Sequence, residues 1–157
     1  MIETGVARGV TSRIILEALV GNGAGRLWSI DLPPLNEPWF SQSRSAVPPG
    51  LRGDWQYICG SARRVLPRLL RRLGSIDLFV HDSLHTYDHM AFEFKLARTH
   101  LSSSGMIVSD DINTNRAFTE MVQSDQELDG IAITQERKRN AAVGIAWQPS
   151  RAPGHCV

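Results

Sequence analysis

The sequence predicts an α/β domain: a doubly wound, mostly parallel sheet that ends in an antiparallel hairpin strand. Three observations carry this. Short apolar runs alternate with segments of helical period along the 157 residues, and that alternation means parallel strands joined by right-handed crossovers. The last two runs, "GIAIT" and "AAVGIAW", are separated only by the charged connection "QERKRN", short enough for a hairpin. The polar residues that close the earlier runs are all acidic: Glu3, Asp31, Asp82, Asp110 and Asp111. Parallel strands would gather these at one rim, and in such sheets ligands sit beyond the carboxyl ends of the strands.

Each element follows from its residues. "MIETGVARGVTS" reads as a strand end, a glycine loop and a helix start; "VTSRIILEALVGNG" carries Ile14, Ile15, Ala18 and Leu19 at helical spacing. "GRLWSID" is a buried strand ending in Asp31. The proline-rich stretch from Leu32 to Asp54 has no period, and loops of that length inside a compact domain are usually functional or mobile. It reads as a lid, in which Trp39 and Phe40 either close over a substrate ring or pack on the sheet. "WQYICG" is the third strand. In "SARRVLPRLLRRLG" the leucines Leu66, Leu69, Leu70 and Leu73 share one side and most of the arginines the other. Pro67 is expected to open the main helix, because proline is tolerated in a first turn and not deeper. "IDLFVHD" and "GMIVSDD" are strands, "YDHMAFEFKLARTHL" and "NRAFTEMVQSDQEL" helices.

Composition narrows the class. The chain is 42% hydrophobic and 21% charged, which suits one domain with a sizeable core. Residues 1–148 read as that domain and 149–157 as a frayed tail. A net charge of +1 gives no push toward nucleic acid or membrane, and the arginine-rich helix reads as a solvated face. Cys59 and Cys156 have no spacing that suggests a disulfide framework or zinc site. No apolar run approaches the ~20 residues of a membrane span, and Glu3, Gly5 and Arg8 interrupt any signal-peptide core. A cytoplasmic domain is expected.

Two constellations carry chemistry. In the opening loop Gly5 allows a sharp turn and Gly9 lets the helix start close to a ligand. The spacing Glu-x-Gly-x-x-x-Gly-x-Thr, from Glu3 to Thr11, is not that of a dinucleotide loop. Its carboxylate suits an ammonium group better than a phosphate. Asp31 stands where a carboxylate commonly accepts from ribose hydroxyls, and Ser61 and Ala62 are small enough to border an adenine. The second constellation is "HDSLHTY" with "SDDIN". Asp82, Asp110 and Asp111 on adjacent strands would repel and raise one another's pKa values, which a hard divalent cation such as magnesium relieves. The alternative for Asp82 and Asp110 is that they cap the following helices. His85, three residues past Asp82, is suited to act as a base near neutral pH; the alternative is an exposed loop histidine. Tyr87 is expected to pack at its helix start, His81 to point away from Asp82, and His89, His100 and His155 to stand aside.

These residues together resemble a class I S-adenosylmethionine-dependent methyltransferase with a Rossmann-like fold. The likeness is nearest to the metal-dependent O-methyltransferases of the macrolide-sugar type and the related cephalosporin-hydroxylase-like proteins, and runs from Glu3 to Trp147. It implies that Glu3, Gly5 and Gly9 hold the methionine portion of S-adenosylmethionine and Asp31 its ribose, with Thr11 also cofactor-binding. Ser61 and Ala62 would border the adenine, with Asp82 nearby. It further implies that Asp82, Asp110 and Asp111 bind magnesium, and that His85 is the base acting on a small hydroxylated molecule. A hydroxylase-like relative, or a cofactor-binding remnant serving as a partner subunit, are the alternative readings. Relatives carry helices before the first strand. Here that strand has barely three residues, so the chain reads as shortened at its start, with apolar surface left for self-association as a homo-oligomer or a cost in stability.

Overall fold

The computed structural model describes residues 1–32, 35–36, 39–135 and 138–149. His155, Cys156 and the predicted tail lie outside the described residues except for its first residue, Pro149 excluded from any strand. In chain order the elements are β1 (Ile2–Thr4), α1 (Val10–Asn22), β2 (Leu27–Asp31), the single turn α2 (Trp39–Gln42), a 3-10 turn (Pro49–Leu51), β3 (Trp55–Cys59), α3 (Ala62–Leu73) and β4 (Ile76–His81). Then follow α4 (Tyr87–Arg98), β5 (Leu101–Ser109), a 3-10 turn (Ile112–Thr114), α5 (Ala117–Ser124), β6 (Asp129–Gln135) and β7 (Lys138–Trp147). The seven strands form one sheet in the order β3-β2-β1-β4-β5-β7-β6. β1 to β5 pair in parallel, whereas β7 runs antiparallel to both β5 and β6.

The order reverses at β1, whose two neighbours are β2 and β4. A three-residue strand holds that place because both of its edges are paired: Thr4 is in register with Ile30 on one side and His81 on the other. Ile2, Glu3 and Thr4 are all fully buried. Alternation then sends Thr4 toward α4 and Glu3 toward α1.

Two apolar layers clamp the sheet. One contains Leu66 and Leu70 of α3, Met90 and Phe94 of α4 and Phe118 of α5, packed on Ile2, Ile30, Phe79 and Ile107. The other sets Leu16 and Leu19 of α1, with Val47, on Leu27 and Val80. Each such fully buried side chain contributes roughly 1.5–3 kcal/mol.

Four parts of the chain differ from the sequence expectation. α3 begins at Ala62 and runs through Pro67 rather than starting there. An interior proline costs about 3 kcal/mol, which the burial of Leu66, Leu69 and Leu70 around it offsets. α4 stops at Arg98, and β5 starts early, at Leu101, because Leu101 pairs with Ile76 ahead of an irregularity in the ladder. The loop after β2 is interrupted by α2 and the 3-10 turn; Phe40 is about half exposed, and the Trp39 side chain lies outside the described residues. Among the described residues no helix is long and apolar enough to cross a membrane.

Candidate active site

The parallel ladder continues one residue past the strands, and this builds the site. The Gly5 amide donates to Ile30 O (2.9 Å), Gly60 to Asp31 O (2.8 Å), Asp82 to Thr4 O (2.8 Å) and Asp110 to His81 O (2.9 Å). Each bond pins the first loop residue beyond a strand, so the loops after β1, β3, β4 and β5 leave the sheet at one level. Gly5 is required there: its φ is +82°, and its backbone lies against the carbonyl of Asp82.

Between these loops lies a cavity of about 550 Å³. Gly5, Val6 and Ala7 form one wall, Asp31 and Leu32 a second, Gly60 to Arg63 a third, and Asp82, Ser83, Leu84 and His89 the fourth. A larger hollow, about 710 Å³, lies between α4 and α5, but none of the strand-end acids or loop glycines reaches it. The smaller cavity is therefore the candidate site, on chemistry rather than size.

Of the residues read as cofactor-binding, Gly5, Asp31, Ser61, Ala62 and Asp82 line this cavity; Glu3, Gly9 and Thr11 do not. Glu3 lies beneath the loop, where its Oε2 accepts from Ser12 Oγ (2.6 Å) and Ser29 Oγ (2.7 Å). It thereby ties the start of α1 to β2. Its Oε1 is buried, with no hydrogen-bond partner among the described residues. Burial pushes the Glu3 carboxyl up to about 7, against the pull of the two serines. Gly9 is the N-cap of α1 at φ +83°, and a Cβ there would meet Val47 Cγ2 at 2.9 Å. It serves the packing of α1 on the loop, not the cavity wall. Thr11 is the second residue of α1 and half-buried.

Asp31 accepts from the Ala7 amide at 3.2 Å, so one carboxylate oxygen already braces the glycine loop. Burial raises its pKa, and backbone hydrogen bonds from Ala7, Leu32 and Val6 oppose the rise.

The acidic rim is assembled around His85. Its Nδ1 is 3.0 Å from Asp111 Oδ2 and its Nε2 3.8 Å from Asp82 Oδ1. The side chain is only 22% exposed, which overturns the exposed-loop alternative. The backbone of His85 is held as well: Asn115 Nδ2 donates to its carbonyl at 3.2 Å. Asp111 adopts φ +49°, in the left-handed region, at the turn that brings it to His85. A non-glycine residue held there costs of order 1–3 kcal/mol. The helix-capping alternative fails too. The N-cap of α4 is Thr86, and Asp111, not Asp110, precedes the 3-10 turn, without a side-chain capping bond.

Burial raises the Asp82 carboxyl to about 6; the charge of Asp110 adds to the rise, and His85 and His81 oppose it. The repulsion expected among the rim acids is thus present at Asp82. Yet among the described residues no three His, Cys, Asp or Glu side chains are arranged to hold a metal ion as they stand.

Beneath the rim lies a network that sequence reasoning missed. Glu93 of α4 is fully buried. Its Oε2 accepts from Thr4 Oγ1 (2.6 Å) and contacts His81 Nδ1 (2.7 Å). Its Oε1 meets His89 Nε2 (2.8 Å) and accepts from Ser83 Oγ (3.2 Å). Burial pushes the Glu93 carboxyl up, but the hydrogen bonds from His81 and His89 outweigh it and bring it down to about 2. His81 is fully buried. His89 does not stand aside: it reaches both Glu93 and the cavity wall. The available signal was Glu93 itself, a carboxylate on the same helical stripe as Met90, Phe94 and Ala97. Tyr87, at the start of α4, is exposed rather than packed down, and it donates to Glu120 Oε2 (2.6 Å), joining α4 to α5.

The profile of a methyltransferase domain matches residues 2–112, from β1 through the acidic rim. The chain belongs to the methyltransferase-domain family. No curated protein matches the sequence. Among solved structures, this methyltransferase superposes on an O-methyltransferase from Bacillus cereus in complex with SAH with a TM-score of 0.72 at 15% identity, covering 94% of this chain and 73% of that one. For TomG, an O-methyltransferase of tomaymycin synthesis from Streptomyces achromogenes in complex with SAM, the values are 0.70, 19%, 94% and 71%. For CalS11, a TDP-rhamnose 3'-O-methyltransferase of calicheamicin biosynthesis, they are 0.62, 16%, 91% and 70%. At these identities the likeness is one of fold: the Rossmann-like sheet predicted from the sequence.

Proposed function

We propose that this methyltransferase binds S-adenosylmethionine in the 550 Å³ cavity and transfers its methyl group to a hydroxyl oxygen of a small molecule. The observation that carries this reading is the convergence of Gly5, Asp31, Ser61, Ala62 and Asp82 on that one cavity, at the point where the strand order reverses. The solved relatives of the same fold with SAM or SAH bound support it.

In this reading the loop at Gly5 faces the methionine portion, Asp31 accepts from a ribose hydroxyl, and Ser61 and Ala62 flank the adenine. Glu3, Gly9 and Thr11 act from behind, by fixing the loop and the start of α1. The sulfonium methyl is already activated, so the protein supplies alignment, worth roughly 7–11 kcal/mol. The acceptor oxygen bonds to the methyl carbon, the carbon–sulfur bond breaks, and sulfur keeps the electron pair. The acceptor's proton needs a base. We assign that role to His85: its Nδ1 lies 3.0 Å from Asp111 Oδ2, and its Nε2, buried and without a hydrogen-bond partner among the described residues, lies 3.8 Å from Asp82 Oδ1.

A hard divalent cation such as magnesium suits the donor chemistry of the rim, because Asp82 already carries the repulsion of Asp110 and Asp111. Asp82, Asp110 and Asp111 would hold it, and it would polarise the acceptor hydroxyl.

Calorimetric titration of S-adenosylmethionine and its demethylated product, each with and without magnesium, tests the reading. Binding of both is expected, with magnesium required for turnover of a hydroxylated acceptor and the product heavier by one methyl group. A product gaining oxygen, or no cofactor binding under either condition, would overturn it.

A further inference from the structure

The five arginines of α3 are set apart from the rest of the molecule. Arg63, Arg64, Arg68, Arg71 and Arg72 lie on one helix that contains no acidic residue. Removing them from the chain's 17 cationic side chains leaves 12 against 16 acidic ones, so an otherwise acidic chain carries one concentrated basic face. Arg63 is engaged, donating to Asp88 O and lying 5.0 Å over the Phe92 ring. Arg64, Arg68, Arg71 and Arg72 are exposed, and among the described residues they make no hydrogen bond or ion pair. Arg64, Arg68 and Arg72 repeat every fourth residue and so form one ridge.

The ridge borders a groove. Ile58, Val65 and Leu69 make an apolar floor, Arg64, Arg68 and Arg72 the cationic lip, and the volume is about 290 Å³. Ile58 belongs to β3, the outermost strand, which among the described residues pairs with β2 and with no other strand. Its free edge offers backbone donors and acceptors to an added strand. Three recognition elements thus lie side by side: an open strand edge, an aliphatic floor and a row of unpaired guanidinium groups. The groove starts one residue beyond Arg63, which lines the cofactor cavity.

We propose that this face docks an acidic, extended segment of a partner protein, pairing its backbone with β3, its aliphatic side chains with Ile58, Val65 and Leu69, and its carboxylates with Arg64, Arg68 and Arg72. A second copy of the chain is disfavoured, because the same face would set arginines against arginines. Nucleic acid would use the charges but leave the apolar floor and the strand edge without a partner.

Fluorescence anisotropy with the full chain tests this, using short labelled peptides in which glutamate alternates with valine. Expected is saturable binding about tenfold tighter than polyglutamate of equal length, weakening as salt rises. N-methylation of alternate peptide amides is expected to weaken binding. The Arg64→Glu/Arg68→Glu/Arg72→Glu variant is expected to abolish it with an unchanged circular dichroism spectrum; Arg68→Ala gives the same direction should the triple variant not fold. Equal affinity for polyglutamate, tighter binding of single-stranded oligothymidylate, indifference to the arginine substitutions, or no binding would each overturn the proposal.

Discussion

Gly5 and Asp82 meet backbone to backbone across the strand-order reversal: a Cβ on Gly5 would stand 1.8 Å from the Asp82 carbonyl oxygen. That contact joins the glycine loop after β1 to the acidic loop after β4, so the two halves of the cavity share one wall. Gly5→Ala introduces both this overlap and a side chain at φ +82°. The expected cost is roughly 2–4 kcal/mol in urea unfolding, with loss of cofactor binding.

His85 stands outside the cavity wall while its ring touches Asp111. His85→Ala is therefore expected to lower kcat by about 10²–10⁴-fold with little change in S-adenosylmethionine affinity. Stopped-flow turnover beside calorimetry separates the two, and unchanged turnover would reduce His85 to a brace for Asp111.

Asp110 raises the Asp82 carboxyl and does not line the cavity. Asp110→Asn is expected to remove the response of activity to added magnesium while cofactor binding persists. An equal loss of both would argue against separate roles. Asp82→Ala is the less clean probe, because Asp82 borders the cavity itself.

The buried carboxyls set opposite pH dependences. Glu93 is lowered from its ordinary 4.5 to about 2, so its contribution is complete above 4.5 and is lost as pH falls toward 2. It amounts to roughly 3 kcal/mol. Glu93→Gln is expected to lower stability at neutral pH and flatten the acid limb of a denaturation series.

Glu3 runs the other way. Its carboxyl is raised from 4.5 to about 7, so the folded state holds the proton more tightly and stability declines as pH rises from 4.5 to 7. Glu3→Gln keeps a neutral partner for Ser12 and Ser29. It is expected to remove that decline and to be the more stable protein at pH near 8, read from Tm across a pH series.

The alternation of runs, the closing hairpin and the acids at strand ends were legible in the sequence because side-chain period and strand-terminal polarity are local properties. The central place of β1 followed from topology; strand pairing brought Gly5, Asp31, Ser61 and Ala62 to one cavity and left Glu3, Gly9 and Thr11 outside its lining. Pro67 misled, since burial of the surrounding leucines outweighs the local preference that would have started the helix there. Which face each strand residue takes, and what stands opposite it, was settled only by the pairing of distant segments. Register put Thr4 and His81 side by side against Glu93, and turned Glu3 toward Ser12 and Ser29. Hence the sequence alone determined the sheet and the acids at its rim. Tertiary structure decided which acids face the cavity, which brace it from beneath, and that His89 and Glu93 join in the network below the rim. Those assignments depend on contacts between residues up to 89 positions apart, which no local pattern encodes.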